Sequence, residues 1–137
     1  TALRHAVNER ATVVGCDMPL LSAQLLAAIA AVDPSADVTV PVRGCAHRRQ
    51  GTAHTFETLH AVYNRRCLEP IERRLIAGDY RVFAFFEDVR VRALDESWLR
   101  RIDPTLESMT NTNTPEEFQR VVARVGAGLI DQEDEVG

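Results

Sequence analysis

The chain has 137 residues, 45% hydrophobic and 26% charged, which suits one globular domain able to bury a core without staples. Its formal net charge of −4 argues against a nucleic-acid partner, which normally requires a basic footprint to neutralise phosphates. No apolar run approaches the roughly 20 residues needed to span a bilayer, and Cys16, Cys45 and Cys67 include no CxxC spacing, so free thiols in a reducing cytoplasm are expected.

Residues 2–10 (ALRHAVNER) read as the end of a helix, with Leu3 and Val7 four apart on one face. Residues 11–15 (ATVVG) are a short β-branched run, the mark of a buried strand. They lead into Cys16-Asp17-Met18-Pro19, where the proline opens the strand into a turn. Ser22 is the expected N-cap of an Ala/Leu-rich helix over residues 23–32, which Asp33-Pro34-Ser35 stops. Residues 37–42 (DVTVPV) alternate as a second strand. Pro41 cannot donate to a sheet ladder, so that end is expected near an edge or leaving the sheet. Residues 43–55 (RGCAHRRQGTAHT) read as a polar loop and residues 58–63 (TLHAVY) as a third strand.

An amphipathic helix follows over residues 65–77, with Leu68, Ile71, Leu75 and Ile76 on one face and Gly78 as its C-cap. Residues 80–86 (YRVFAFF) fit a short helix or a strand, whereas residues 89–94 (VRVRAL) alternate as a half-exposed strand. A helical turn at 97–102 and an extended piece at 107–111 come next. Thr114-Pro115-Glu116-Glu117 then starts a helix running to about Val125. Residues 131–137 are an acidic tail expected to fray. Strands alternating with helices predict an α/β fold with a mostly parallel sheet flanked by helices.

Two segments could carry chemistry. A hydrophobic strand delivers Asp17 to a sheet's carboxyl end, where ligands of open α/β sheets bind. A lone carboxylate there suits Mg²⁺, a hard ion usually held by one or two carboxylates plus substrate phosphates. The alternative is that Asp17 merely caps the turn before Ser22. In Thr110-Asn111-Thr112-Asn113-Thr114 an extended backbone points Asn111 and Asn113 the same way, so that both amides could grip one ligand. Ordinary cap chemistry around Thr114 is the alternative there. Cys45, His47, His54 and His60 lie close in sequence, but their spacings match no zinc pattern. Arg43, Arg48 and Arg49 are candidates for a phosphate contact. Trp98, Phe83, Phe85 and Phe86 read as core or docking residues.

Taken together, GCDMP followed some ninety residues later by NTNTPEEF resembles the molybdenum cofactor guanylyltransferase family. LHAVY (59–63), CLEPIERRLIAGD (67–79) and FFEDVRVR (85–92) add to the likeness, which covers residues 2–125. The resemblance implies a Rossmann-like three-layer nucleotidyltransferase fold, with a partial domain over residues 1–130. It implies Mg²⁺-dependent transfer of GMP from GTP to molybdopterin or its molybdenum form, with release of pyrophosphate. Asp17 would be the catalytic metal ligand near the α-phosphate. Asn111 and Asn113 would lie near the pterin-side substrate, with Arg43 and His60 as further substrate contacts.

A cytidylyl- or sugar-nucleotidyltransferase is the related alternative. A non-catalytic molybdopterin-binding or assembly module is the alternative from another class. Family members open with a strand and a glycine-rich loop, roughly LAGGxSxRMGxDK, which holds the triphosphate. This chain contains no such stretch. The likeness therefore implies the C-terminal two-thirds of a family member, expected to be inactive alone and open to self-association through an exposed sheet edge. The family often has a proline just before the apolar strand. Thr58 stands in that region, leaving the role of His60 open.

Overall fold

The computed structural model describes residues 2–43 and 55–133. Cys45, His47, Arg48, Arg49 and His54 lie outside the described residues, so the loop and metal expectations placed on them do too. In chain order come α1 (Ala2–His5), β1 (Arg10–Val14), α2 (Ala23–Val32), β2 (Val38–Arg43), β3 (Thr55–Phe56), β4 (His60–Asn64), α3 (Leu68–Ile76), β5 (Val91–Leu94), α4 (Glu96–Leu99) and α5 (Pro115–Glu133).

The strands form one sheet with helices packed on it, as an α/β chain should. Its pairing departs from the mostly parallel expectation. β4 lies between β1 and β2 and runs antiparallel to both, and β3 is antiparallel to β2. Only the β2–β5 ladder is parallel among the described strands. β1, β2 and β5 share one direction, and β4 is inserted between β1 and β2 in reverse. The period-2 pattern that marks a strand is the same read in either direction, so alternation carries no information on this reversal.

Pro41 is buried and paired with Leu94 rather than lying at an edge. The β2–β4 ladder covers only Val38 and Thr39. Beyond it, the Pro41 carbonyl accepts from the Glu57 amide at 2.9 Å, and Val42 and Arg43 pair with β3. The missing proline N–H thus falls where one partner strand gives way to the next.

Alternation along β4 divides the core into two layers. Val62 joins Leu25, Ile29, Leu94, Leu99, Leu106 and Met109 on the α2 and α4 face. Ala61 and Tyr63 join Val38, Val40, Cys67 and Phe85 on the α3 face. The caps follow the local sequence. Ser22 Oγ accepts from the Leu25 amide at 3.1 Å. Gly78 takes φ 77°, and the bonds Gly78 N to Leu75 O and Asp79 N to Arg74 O make a Schellman ending. Thr114 and Glu117 cap each other's backbone amides in a capping box.

Three further expectations are revised. The ambiguous stretch 80–86 resolves into turns and the start of a 3₁₀ helix at Ala84–Asp88. The extended piece expected at 107–111 is a 3₁₀ turn over Glu107–Met109. The Asp103 carboxylate sets it by accepting from both the amide and hydroxyl of Ser108. α5 continues past Val125 to Glu133, into the segment expected to fray. Among the described residues no helix is long and apolar enough to cross a membrane.

Candidate functional site

After β1 the ladder extends by one bond, from the Gly15 amide to the Leu59 carbonyl at 2.9 Å. The chain then turns. Cys16 is exposed, Asp17 is half-buried and Met18 is plugged into the interior at 6% exposure. Asp17 is therefore presented at the carboxyl end of β1 by a buried residue on its C-terminal side and a ladder bond on its N-terminal side. Its carboxylate folds back over Gly15, where an added Cβ would stand 2.5 Å from Asp17 Oδ1. Gly15 is needed for room, since its φ is not positive. Gly15→Ala should keep the fold but rotate the carboxylate away. The expected result is an unchanged melting temperature with at least about a tenfold loss in any Mg²⁺-dependent rate, because misplacement by about 1 Å can cost more than that.

The second segment meets the first. Thr112 donates to the Asp17 carbonyl twice, from its amide at 2.8 Å and from its hydroxyl at 3.2 Å. Thr112 is half-buried, while Asn111 and Asn113 on either side are exposed. Arg43, exposed at the carboxyl end of β2, reaches the Met109 carbonyl with Nη1 at 3.5 Å. Its Nε lies 3.8 Å from Glu57 Oε1. The structure thus gathers Asp17, the asparagine pair and Arg43 at the rim where β1 and β2 end.

His60, expected on the substrate side, is fully enclosed at 0% exposure. Both faces of β4 are covered, and His60 shares the face of Val62, which packs in the layer of Leu25, Ile29 and Leu99 under α2 and α4. The ring instead supports the Asp17 turn from behind, with Nδ1 3.5 Å from Met18 Sδ. Its Nε2 is buried without a partner among the described residues. Burial pushes the imidazole below its ordinary value of 6.5, and the Asp103 carboxylate opposes this in part. The unfolded chain then binds a proton at pH values where the fold resists it. Stability is therefore full above about pH 6.5 and falls as the pH drops below it, until the folded-state value is passed. His5 is exposed, and the carboxylates held below their ordinary 3.8, Asp33, Asp37, Asp79, Asp95 and Asp103, act mainly below about pH 5. Denaturant melts of wild type and His60→Leu should therefore differ in slope between about pH 6.5 and 5 and run parallel above it. Identical slopes would contradict this assignment.

No family model matches the chain. It is 39% identical over 129 residues to the molybdenum cofactor guanylyltransferase of Desulfosudis oleivorans, covering 93% of this chain and 59% of that protein. It is 34% identical over 136 residues to a probable molybdenum cofactor guanylyltransferase of Chloroflexus aggregans, covering 95% of this chain and 60% of that one. Among solved structures it superposes on the molybdopterin-guanine dinucleotide biosynthesis protein A of Archaeoglobus fulgidus. The TM-score is 0.66 at 25% identity, over 87% of this chain and 56% of that chain. Along nearly all of its own length the chain is similar to molybdenum cofactor guanylyltransferases. It spans a little under two-thirds of the length of these relatives.

Among the described residues no three His, Cys, Asp or Glu side chains are gathered to hold a metal. An apolar groove of about 320 Å³, lined by Leu3, Val13, Tyr63, Ile71 and Phe85 among others, lies on the α3 face. It includes none of Asp17, Arg43, Asn111 or Asn113, so the apolar groove and the polar rim are separate features. Thr112 and Gly15 are the site residues that the motif reading passed over. The period-2 argument that aligned Asn111 with Asn113 also turns Thr112 inward, and that signal was available.

Proposed function

We propose that this chain forms the metal-side and acceptor-side part of an enzyme that transfers GMP from GTP to molybdopterin or its molybdenum form. The observation that carries the reading is the pair of bonds from Thr112 to the Asp17 carbonyl. They tie the turn that carries Asp17 to the segment that carries the exposed Asn111 and Asn113, across 95 residues of sequence. In the reaction an oxygen of the acceptor's terminal phosphate bonds to the α-phosphorus of GTP. The α–β phosphoanhydride bond breaks, and pyrophosphate leaves. Asp17 would hold Mg²⁺, whose charge offsets that of the phosphates. Asn111 and Asn113 would orient the pterin side, and Arg43 would meet the acceptor phosphate with its guanidinium fork. The protein's work is alignment and charge neutralisation rather than covalent catalysis.

The test is pyrophosphate release from GTP, Mg²⁺ and molybdopterin by the complete reading frame containing this chain. Release with GTP and little with CTP is expected. A preference for CTP would move the assignment to a cytidylyltransferase, and tight molybdopterin binding without release would indicate a binding or assembly module. The isolated 137-residue chain is expected to show no transfer. Val7, Ile76 and Tyr80 are 96%, 88% and 77% exposed, and β1 is paired on one side only among the described strands. The isolated chain should therefore self-associate. Sedimentation velocity giving a monomer at about 100 μM would contradict this expectation.

A further inference from the structure

At the far end of the same rim, β5 and α4 border a groove of about 410 Å³ whose lining includes Arg92, Asp95, Trp98 and Arg101. We propose that this groove binds a planar heterocycle carrying a phosphate ester, with the phosphate on Arg92 and Arg101 and the ring against Trp98. The inference stands apart from the transfer reaction, because it needs only the groove and its side chains.

The topology places the groove. β5 is parallel to β2, with Leu94 opposite Pro41, so its carboxyl end opens on the same side as those of β1 and β2. In the strand order β1, β4, β2, β5 it stands three spacings from β1, or roughly 14 Å at the usual strand separation. Leu94 is buried in the layer that contains Leu99 of α4. Arg92, two residues earlier in the strand, therefore projects from the same face as α4. Trp98, the chain's single tryptophan, packs one part against that core and is half-buried.

Among the exposed arginines, Arg65, Arg73, Arg92, Arg101 and Arg120 form no ion pair among the described residues, and the groove holds two of them. Arg90, Arg100 and Arg124 are each paired with an acid, Asp33, Glu96 and Glu107 respectively. Arg92 and Arg101 line one groove and form no ion pair among the described residues. The one acid between them, Asp95, is already committed as the cap of α4. Its Oδ1 accepts from the Trp98 amide at 2.8 Å and the Ser97 hydroxyl at 2.6 Å. Two guanidinium groups against one engaged carboxylate leave a net positive groove. Guanidinium forks match phosphate oxygens, and an indole beside them supplies a flat apolar face for a ring.

Trp98 itself is the reporter. Its indole N–H cross-peak in the ¹⁵N-labelled protein, assigned by its loss in Trp98→Phe, is followed during titration with GMP, with a pterin phosphate monoester, with inorganic phosphate and with uncharged guanosine. A saturable shift with a Kd at or below about 1 mM is expected for GMP or the pterin phosphate, and whichever binds more tightly identifies the ring. Arg92→Ala/Arg101→Ala should weaken that binding at least about tenfold while leaving the free cross-peak in place, since both side chains are exposed. Asp17→Asn should leave the titration unchanged. No saturable shift up to about 10 mM, an equal response to guanosine, undiminished binding by the double variant, or loss of binding in Asp17→Asn would each overturn the inference.

Discussion

Asp17→Asn, made in the complete reading frame, is expected to lower the rate of pyrophosphate release by about 10²–10³ and to leave stability within about 0.5 kcal/mol of wild type. The two readouts separate because the Asp17 carboxylate makes no hydrogen bond among the described residues. What holds the turn is the Asp17 carbonyl with its two bonds from Thr112, the Gly15–Leu59 ladder bond and the burial of Met18. None of these involves the side-chain charge. Asparagine also preserves the shape that sits over Gly15, so the substitution removes charge and little else. The rate should fall through loss of electrostatic stabilisation at the phosphates rather than through misfolding. Initial rates at saturating GTP, together with thermal melts, check both halves. An unchanged rate would end the case for Asp17 as the metal ligand, and a large fall in melting temperature would show the carboxylate to be structural.

The rim was legible in the sequence where local rules suffice. A β-branched run that ends in Cys-Asp-Met-Pro must leave the sheet at that point, and so Asp17 was placed correctly at a strand's carboxyl end. Ser22, Gly78 and the Thr114–Glu117 box were legible for the same reason, since each cap is decided within a few residues. Features decided by distant chain were not legible. The reversal of β4 leaves no trace in its alternation. The burial of His60 follows from α2 and α4 covering the face it shares with Val62, and a polar residue at a strand's start gives no sign of that. The contact between Arg43 and Met109 spans 66 residues. Asn111 and Asn113 are both exposed, on either side of half-buried Thr112. Alternation turns Thr112 inward, but its partner, the Asp17 carbonyl 95 residues away, is set by distant chain.

Leu25→Ala should cost about 3 kcal/mol, within the 2–5 kcal/mol usual for truncating a fully buried leucine. Ile76→Ala should stay within about 0.5 kcal/mol. By hydrophobicity and helical spacing the two positions look alike, each an apolar residue on the apolar face of a helix. In the structure Leu25 is 0% exposed and Ile76 is 88% exposed. Leu25 sits in the layer with Ile29, Val62, Leu94, Leu99, Leu106 and Met109. Removing its branched end opens a cavity bounded by a helix and the sheet, which cannot both move to fill it. Ile76 ends α3 beside the Gly78 turn with solvent around it, so truncation there forfeits little buried area. Urea midpoints at constant m-value would measure the difference. The same layer carries Leu106 and Met109, the residues that lead into the asparagine segment. A cavity at Leu25 therefore lowers the stability of the platform under the site. It leaves the Thr112 bonds to Asp17 intact in whatever fraction remains folded, because those bonds are made at the rim and not through Leu25. The rate per folded molecule should then hold while the folded fraction falls, the opposite of the pattern expected for Asp17→Asn.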